Sequence, residues 1–538
     1  MQPAFVNRGL SIKLLRSYRG VWLVALLVAF FQTLYAIGFI ARTSFIVEGQ
    51  RYFCLFDDAM ISMRYADNWA AGRGFVWNVD ERVEGYTTFA WTGIMGLCHL
   101  LRLSPSHTCL LVQILGIPIL WACLAGTVLL ARSCRLLPAS AYCAVVVAGA
   151  FYNLMFFTLF GMETGLLTCL VTFALADAAQ SFRKEQGRYT TMLWFAPALL
   201  VRLDAIVVML FIFFFLFASI KKGRYSLTAG LLIVAFVVSI HFLWRHHFYG
   251  EWLPNTYYLK ATGWPLANRL VAGVRQGFWT AAAFGFPFLL GLMTLLRPKR
   301  WHLLVLGSFA ICVAYQVYIG GDAWPLNRFV IPVSIGLFVL AADGMQRLIL
   351  LLNKSKVCSS PAVARVAVTL LCAVAVNTPH WDHLSLLSLP QTAGDRQMNI
   401  RCMLAIEKIA GSDASVAVGY AGVLPYFSKR RCIDLLGKCD AHIARLPAHV
   451  EIPRAGHNKY DLEYSLTTYK PDIILHVVDT RVPECSQNYR PVVVEVDGTE
   501  VALLVRKDSD KVRGGKTVGW MTFDRHFLKM TNEKEKDL

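Results

Sequence analysis

Phe56-Asp57-Asp58-Ala59-Met60-Ile61-Ser62-Met63-Arg64-Tyr65-Ala66-Asp67-Asn68-Trp69 follows closely on the first long apolar run of the chain. Met60, Ile61, Met63 and Trp69 fall roughly on one face at helical spacing, so the stretch predicts a helix opened by two adjacent carboxylates. Acids at a helix start suit the positive end of the macrodipole, and a simple cap is one reading of Asp57 and Asp58. A membrane context offers another. At the mouth of a helical bundle, adjacent carboxylates can hold a divalent cation, orient a phosphate through that cation, or take a proton from a sugar hydroxyl.

The context is a membrane. The chain has 538 residues, 56% hydrophobic and only 16% charged. Its repeated apolar runs of about 18 to 24 residues predict a polytopic α-helical membrane protein. The net charge of +18 would point a soluble protein toward nucleic acid. Here the basic residues lie mostly in short loops between apolar runs, which is the positive-inside pattern. The expected partner is therefore a lipid bilayer and not a nucleic acid. The sequence holds no CxxC pair and no zinc-type Cys/His spacing. Arg8, Lys13, Arg16 and Arg19 precede Val21–Ile40, and the absence of an obvious small-residue cleavage site suits a retained span better than a signal peptide.

With the basic N-terminus on the cytoplasmic side, loop charge gives a consistent alternation of about eleven spans. They are Val21–Ile40, Thr108–Ala131, Leu137–Thr158, Gly165–Phe182, Met192–Val201, Ala205–Ile220, Leu227–Phe248, Phe278–Leu296, Leu303–Ile319, Phe329–Leu352 and Ala362–Val376. Phe89–Leu101 is too short for a comfortable crossing and reads as a juxtamembrane or re-entrant helix, with a short tilted crossing as the alternative. Residues 1–378 thus form a membrane module with an outer loop at about 41–107. From about Pro379 the composition turns soluble, and 379–538 reads as an extracytoplasmic α/β domain of roughly 150 residues. Its expected strands are Ser415–Tyr420, Ile473–Val478, Pro491–Val496 and Val501–Val505, with a helix over Asn399–Ala410. Cys402, Cys432, Cys439 and Cys485 could pair there in an oxidising compartment. The tail from Thr531 reads as disordered.

This topology sorts the loops. Basic, motif-poor loops fall on one side, and loops with isolated acids, Trp, Asn, Gly and Pro fall on the other. Glu84 stands in Val83-Glu84-Gly85-Tyr86 at the start of an apolar helix, placed to accept from a sugar hydroxyl, and Tyr86 beside it is either a contact or an interfacial anchor. Glu163 lies between Met162 and Thr164 at the outer ends of two spans. Arg202 and Asp204 are flanked by apolar runs, where charges are costly unless paired or functional. Gly250-Glu251-Trp252-Leu253-Pro254-Asn255-Thr256-Tyr257-Tyr258-Leu259-Lys260 is a Pro-broken loop whose Lys260 either snorkels or meets a lipid phosphate. In Gly320-Gly321-Asp322-Ala323-Trp324-Pro325-Leu326-Asn327-Arg328-Phe329, Asp322 supplies an acceptor and Arg328 a charge-assisted phosphate donor. Polar constellations gathered on one face suit an enzyme working at the outer leaflet. The rival is a lipid-linked-sugar transporter or flippase, which would place its polar residues at mid-membrane.

Taken in order, DDAMISMRYADNWAAGRGFVWN, VEGYT, GMET, YGEWLPNTYYLK, GGDAWPLNRF, GYAGVLPYFSKRRCIDLLGKCDAHIAR and GHNKYDLEY resemble the GT-C superfamily of polyprenyl-phosphate-sugar-dependent glycosyltransferases. Within it they look similar to the terminal arabinofuranosyltransferases of mycobacterial cell walls and the related pilin arabinosyltransferases. The resemblance implies a GT-C membrane module in the bacterial inner membrane, with the active site and C-terminal domain on the periplasmic side. It also implies a polyprenyl monophosphate donor, D-arabinofuranose as the sugar, and a glycan or pilin-like acceptor. Asp57 or Asp58 becomes the catalytic carboxylate, or the holder of a divalent cation if one takes part. Glu84, Tyr86, Glu163, Arg202, Asp204, Asn255, Asp322 and His457 become substrate-binding residues, and Arg328 and Lys260 neutralise the leaving phosphate. Two blocks depart from the family pattern. Arg202-Leu203-Asp204-Ala205 lacks its Pro and Gly, and Gly456-His457-Asn458-Lys459 lacks its acid.

Overall fold

The computed structural model describes residues 18–324, 326–355, 360–390, 393–452, 454–475 and 482–524. Expectations for Arg8, Lys13, Arg16, residues 476–478 and the tail from Thr531 lie outside the described residues.

The apolar runs read as spans fall on helices, with Leu137–Thr158 and Met192–Val201 each divided between two. Among the described residues, seven helices are long and apolar enough to cross a membrane: Arg19–Thr43, Pro105–Ser133, Thr164–Lys184, Arg224–Tyr249, Leu266–Leu296, Arg300–Tyr318 and Ile331–Lys354. Pro138–Gly149 and Tyr152–Leu159 meet at 47°, as a broken span or a re-entrant loop does. Tyr189–Val201, Ala205–Ser219 and Pro361–Asn377 are shorter apolar helices. Phe89–His99 is an 11-residue helix packed along Asp57–Ala70, in keeping with a re-entrant or juxtamembrane element. Lipid cannot hydrogen-bond a backbone, so a break inside a span needs a side chain to repair it. Asn377 does this at the bend: its Oδ1 accepts from the Tyr152 amide at 2.9 Å and its Nδ2 donates to the Ala150 carbonyl at 2.9 Å. Leu26, Phe30 and Phe31 of the first helix stay exposed, as a lipid-facing surface requires, whereas Thr164–Lys184 is buried at the bundle centre.

The C-terminal α/β domain carries a six-stranded sheet in the order Cys432–Asp434, Val416–Val418, Ile473–Ile474, Thr499–Arg506, Tyr489–Val496, Lys516–Thr517. The first three strands are parallel and the remaining pairs antiparallel. Ala393–Ile409 packs on the Tyr489–Val496 and Thr499–Arg506 hairpin. That hairpin turns at Asp497-Gly498, both left-handed at φ 52 and 70, the pairing that a two-residue primed turn requires. The strand expected over Ser415–Tyr420 ends at Val418, because the chain then leaves the sheet to bring Gly422 against Asp57. Cys432 and Cys439 are buried thiols that face Arg64 and Tyr65, each 3.8 Å away, rather than each other. Cys402 and Cys485 are buried on two other helices, Ala393–Ile409 and Pro483–Asn488.

The ends of the bundle differ in character. Lys222 and Gly187 meet at one end (2.8 Å), where Arg300 pairs with Glu185 (2.8 Å). The acid-bearing loops meet the α/β domain at the other.

Candidate active site

The helix Asp57–Ala70 starts at this domain-bearing end, and a helical step sends its first two carboxylates in different directions. Asp57 holds the neighbouring domain: its Oδ1 accepts from the Val423 amide at 3.0 Å. A Cβ at position 422 would stand 2.2 Å from the Asp57 carbonyl oxygen, so only glycine permits this approach. Asp58 faces cations. Its Oδ2 lies 3.1 Å from Arg328 Nη1 and its Oδ1 lies 3.6 Å from Lys438 Nζ. Arg328 is locked in turn by a forked pair to Asp322, 3.1 Å from Nε and 3.0 Å from Nη2. Asp322 also accepts from the Ala323 amide at 2.8 Å. The Asp58 side chain stays 28% exposed while Arg328 and Asp322 are buried, so Asp58 is the open member of the cluster.

Lys260 and His457 complete it. Gly456 packs on Lys260, with its missing Cβ only 3.0 Å from Lys260 Cε. Burial pulls the Lys260 ammonium below its ordinary value and Arg328 adds to this, against the opposing pull of Asp58 and Asp322. Burial also works against the charge on Lys438, but Asp58, Asp57 and Asp434 outweigh it and hold that ammonium above its usual value. Burial and Lys438 push the His457 imidazole down to about 3, so it is neutral at physiological pH. For Asp58 burial acts upward, and Lys438, Arg328 and Lys260 together win, holding the carboxyl well below the usual carboxylate range.

Asn255 positions this cluster from below. Its Nδ2 donates toward the carbonyls of Gly437, Lys438 and Asp440 at 3.0, 3.0 and 3.1 Å, clamping the loop that carries Lys438. Gly85 lets the outer loop approach the same segment, since a Cβ there would sit 2.5 Å from Cys439 Sγ and 2.9 Å from the Lys438 carbonyl. Glu84 is turned away, in a buried pair with Arg245 at 2.7 Å, and the Arg245 Nη2 stands 3.0 Å from His241 Nε2. The Tyr86 hydroxyl is 3.2 Å from that of Tyr249, and its ring packs 4.7 Å from Tyr65. Glu84 and Tyr86 therefore sit in the supporting wall. Arg202 bridges Glu163 at 2.9 Å and Asp204 at 2.5 Å. This triad lies across Phe329 from Arg328: the Arg202 guanidinium is 4.9 Å and the Arg328 guanidinium 5.6 Å from that ring.

Lys438, Gly422 and Asp434 belong to this region and are not singled out by the sequence. Asp434 is buried and accepts from the Leu436 and Cys439 amides at 3.0 and 2.7 Å, shaping the turn that presents Lys438. A faint signal exists in Leu435-Leu436-Gly437-Lys438, where a lone cation follows an apolar run. The donor set does not fit a resident divalent cation. Both Asp58 oxygens face basic groups, and among the described residues no group of three or more His, Cys, Asp or Glu side chains is arranged to hold a metal.

Three comparisons bear on this architecture. Residues 391–518 match a family described as a domain of unknown function (DUF8728). No curated protein matches the chain by sequence. Among solved structures, ArnT from Cupriavidus metallidurans in the apo state superposes with a TM-score of 0.55 at 12% identity, covering 91% of this chain and 98% of that one. The same protein bound to undecaprenyl phosphate gives 0.53 at 13% identity, covering 92% and 98%. The Archaeoglobus fulgidus oligosaccharyltransferase in the apo form gives 0.55 at 11% identity, covering 93% of this chain and 76% of that one. The fold is the GT-C fold. In this fold the conspicuous cluster lies at the seam between the helix Asp57–Ala70 and the α/β domain.

Proposed function

We propose that this chain is a membrane glycosyltransferase that moves a sugar from a polyprenyl monophosphate to an acceptor hydroxyl at the Asp58 seam. The observation that carries the reading is the convergence of one open carboxylate, Asp58, with Arg328, Lys438 and Lys260 at the end of a GT-C bundle. The bound undecaprenyl phosphate of the ArnT structure supports a phosphate-bearing lipid as the ligand class. D-arabinofuranose is the proposed sugar, on the resemblance of the motif blocks, with a periplasmic glycan or pilin-like protein as acceptor. On this reading residues 1–378 form the inner-membrane catalytic module and 379–538 the periplasmic domain that closes the acceptor side.

The chemistry follows from charge. In the free protein, Arg328 and Lys438 hold Asp58 ionised, which makes it a weak base. A donor phosphodiester that enters the cluster competes for those same cations and releases the Asp58 carboxylate toward the acceptor. The acceptor oxygen then attacks the anomeric carbon, the carbon–oxygen bond to phosphate breaks, and the hydroxyl proton passes to Asp58. The leaving phosphate gains one negative charge as Asp58 loses one, so the charge enclosed by the seam is conserved across the step. Asp322 keeps the Arg328 fork rigid, and Asn255 does the same for the Lys438 loop, which is the preorganisation that electrostatic stabilisation needs. Glu163, Arg202 and Asp204 border the sugar side beyond Phe329.

Purified protein in nanodiscs, given a labelled polyprenyl-phosphate arabinofuranose and an envelope glycan fraction, tests the reading. Label appearing in a new glycosidic bond is the expected result. Movement of intact donor between leaflets without a new bond would mark a flippase instead.

A further inference from the structure

Arg396, in the helix Ala393–Ile409, is 2% exposed, and among the described residues none of its three guanidinium nitrogens has a hydrogen-bond partner. The guanidinium carbon stands 3.9 Å from the Phe160 ring centroid. A buried charge without an acceptor is among the costliest features a fold can carry. The neighbours share the anomaly. Among the described residues the Tyr152 hydroxyl, the Tyr35 hydroxyl and the His380 Nδ1 are buried without hydrogen-bond partners. Tyr152 lies within electrostatic range of both Arg396 and Tyr35, and its ring centroid is 5.6 Å from that of His380. Asp395 and Cys54 are also within electrostatic range of Arg396, but neither accepts a hydrogen bond from it. Among the described residues the Arg396 guanidinium thus faces two phenol hydroxyls and an imidazole, and the carboxylate nearest to it, that of Asp395, accepts no hydrogen bond from it.

The surroundings say what class of anion would arrive. Tyr35 lies on the apolar helix Arg19–Thr43 and Tyr152 opens the helix Tyr152–Leu159, the second of the bent pair. The segment that follows His380 leaves Trp381 43%, Leu387 80% and Leu389 43% exposed. It folds against the first helix, with Leu386 Cδ1 3.4 Å from the Cβ position of Gly38. Apolar side chains open at the bundle end beside a buried cation suit a ligand with a hydrocarbon tail and an anionic head.

We propose that Arg396, Tyr152, Tyr35 and His380 form a second phosphate site, separate from the Arg328 cluster, that holds the head group of an anionic lipid. The phenyl wall of Phe56, Phe156 and Phe160 stands between the two sites: Phe156 is 6.1 Å from Phe56 and 4.8 Å from Phe160. The head group can come from a polyprenyl phosphate waiting to enter or leave, or from a phospholipid. The chemistry recognised is the same.

Native mass spectrometry of delipidated protein in detergent tests this with three separate probes: undecaprenyl phosphate, phosphatidylglycerol and inorganic phosphate. Wild type should bind undecaprenyl phosphate twice, Arg396→Met once and Arg328→Gln once, independently of any transfer activity. Phosphatidylglycerol bound by wild type and lost in Arg396→Met would assign the site to phospholipid. Undecaprenyl phosphate lost alone would assign it to the polyprenyl carrier. Equal stoichiometry and affinity of wild type and Arg396→Met for all three probes would overturn the site, as would binding of inorganic phosphate alone. Melting gives an independent readout. Without lipid, Arg396→Met should melt higher than wild type, because an unpaired buried charge is gone, and it should lose the upward Tm shift that wild type gains from the probe. A lower lipid-free Tm with probe binding unchanged would mean that Arg396 serves only by stacking on Phe160, and would also overturn the site. If Arg396→Met does not fold, Tyr152→Phe carries the same test, with at least tenfold weaker probe binding expected and unchanged binding overturning it.

Discussion

Lys438 of the α/β domain places its ammonium 3.6 Å from Oδ1 of Asp58 on the membrane module, so the candidate site exists only when the two parts are docked. Lys438→Met should therefore cut sugar transfer by about two orders of magnitude, the scale seen when one preorganised electrostatic group is removed. Lys438→Arg should recover part of it. Initial-rate assays at saturating and limiting donor separate a loss in kcat from a loss in donor binding.

The same contact predicts a pH signature. The Asp58 carboxyl is held below its unfolded value of about 3.9. Its contribution to stability is then fully present above that pH and is lost as the pH falls through the folded value. Removing Lys438 or Arg328 takes away the groups that oppose burial, so the folded value rises. The acidic limb of kcat/KM should move up by about one pH unit or more in Lys438→Met relative to wild type. An unmoved limb would assign the titration to another group.

Two glycines mark the closest approach of the parts. A Cβ at Gly422 would meet Asp57 and one at Gly85 would meet the Lys438 loop. Gly422→Ala should reduce transfer at least tenfold and expose the seam to limited proteolysis. Gly277→Ala is the control: it sits in a membrane helix with open space at its Cβ, and its activity should be unchanged.

The helices were legible in the sequence because lipid forces each span to be apolar and continuous. The shorter apolar helices Tyr189–Val201, Ala205–Ser219 and Pro361–Asn377 fall on the runs Met192–Val201, Ala205–Ile220 and Ala362–Val376, which loop charge marked as spans. The one-sided gathering of Asp58, Lys260, Asp322, Arg328 and His457 also followed from that parity. Lys438 did not. It is brought to Asp58 by a parallel sheet in a different part of the chain, and nothing local to Gly437-Lys438-Cys439 encodes the partner. Glu84 differs for a related reason: its place at the entry to an apolar helix suggested an acceptor for a sugar hydroxyl, but Arg245, on a helix far along the chain, buries it.

Glu84 and Arg245 supply a prediction about stability. Both side chains are nearly inaccessible, and they meet at 2.7 Å. Glu84→Gln should destabilise the fold by about 3–5 kcal/mol, because it strands a buried guanidinium. The double variant Glu84→Leu with Arg245→Met should recover most of the loss. Thermal unfolding of the four proteins in one detergent gives the cycle directly.

The central claim is that Asp58 is the base and Asp57 the hinge between the two parts. The most direct measurement is single-turnover transfer by Asp58→Asn and Asp57→Asn at saturating donor. Asp58→Asn should bind the donor at least as tightly as wild type, since a competitor for Arg328 and Lys438 is gone, yet form no product. Asp57→Asn should keep measurable transfer with weakened seam stability. Product formation by Asp58→Asn at the wild-type rate would contradict the account.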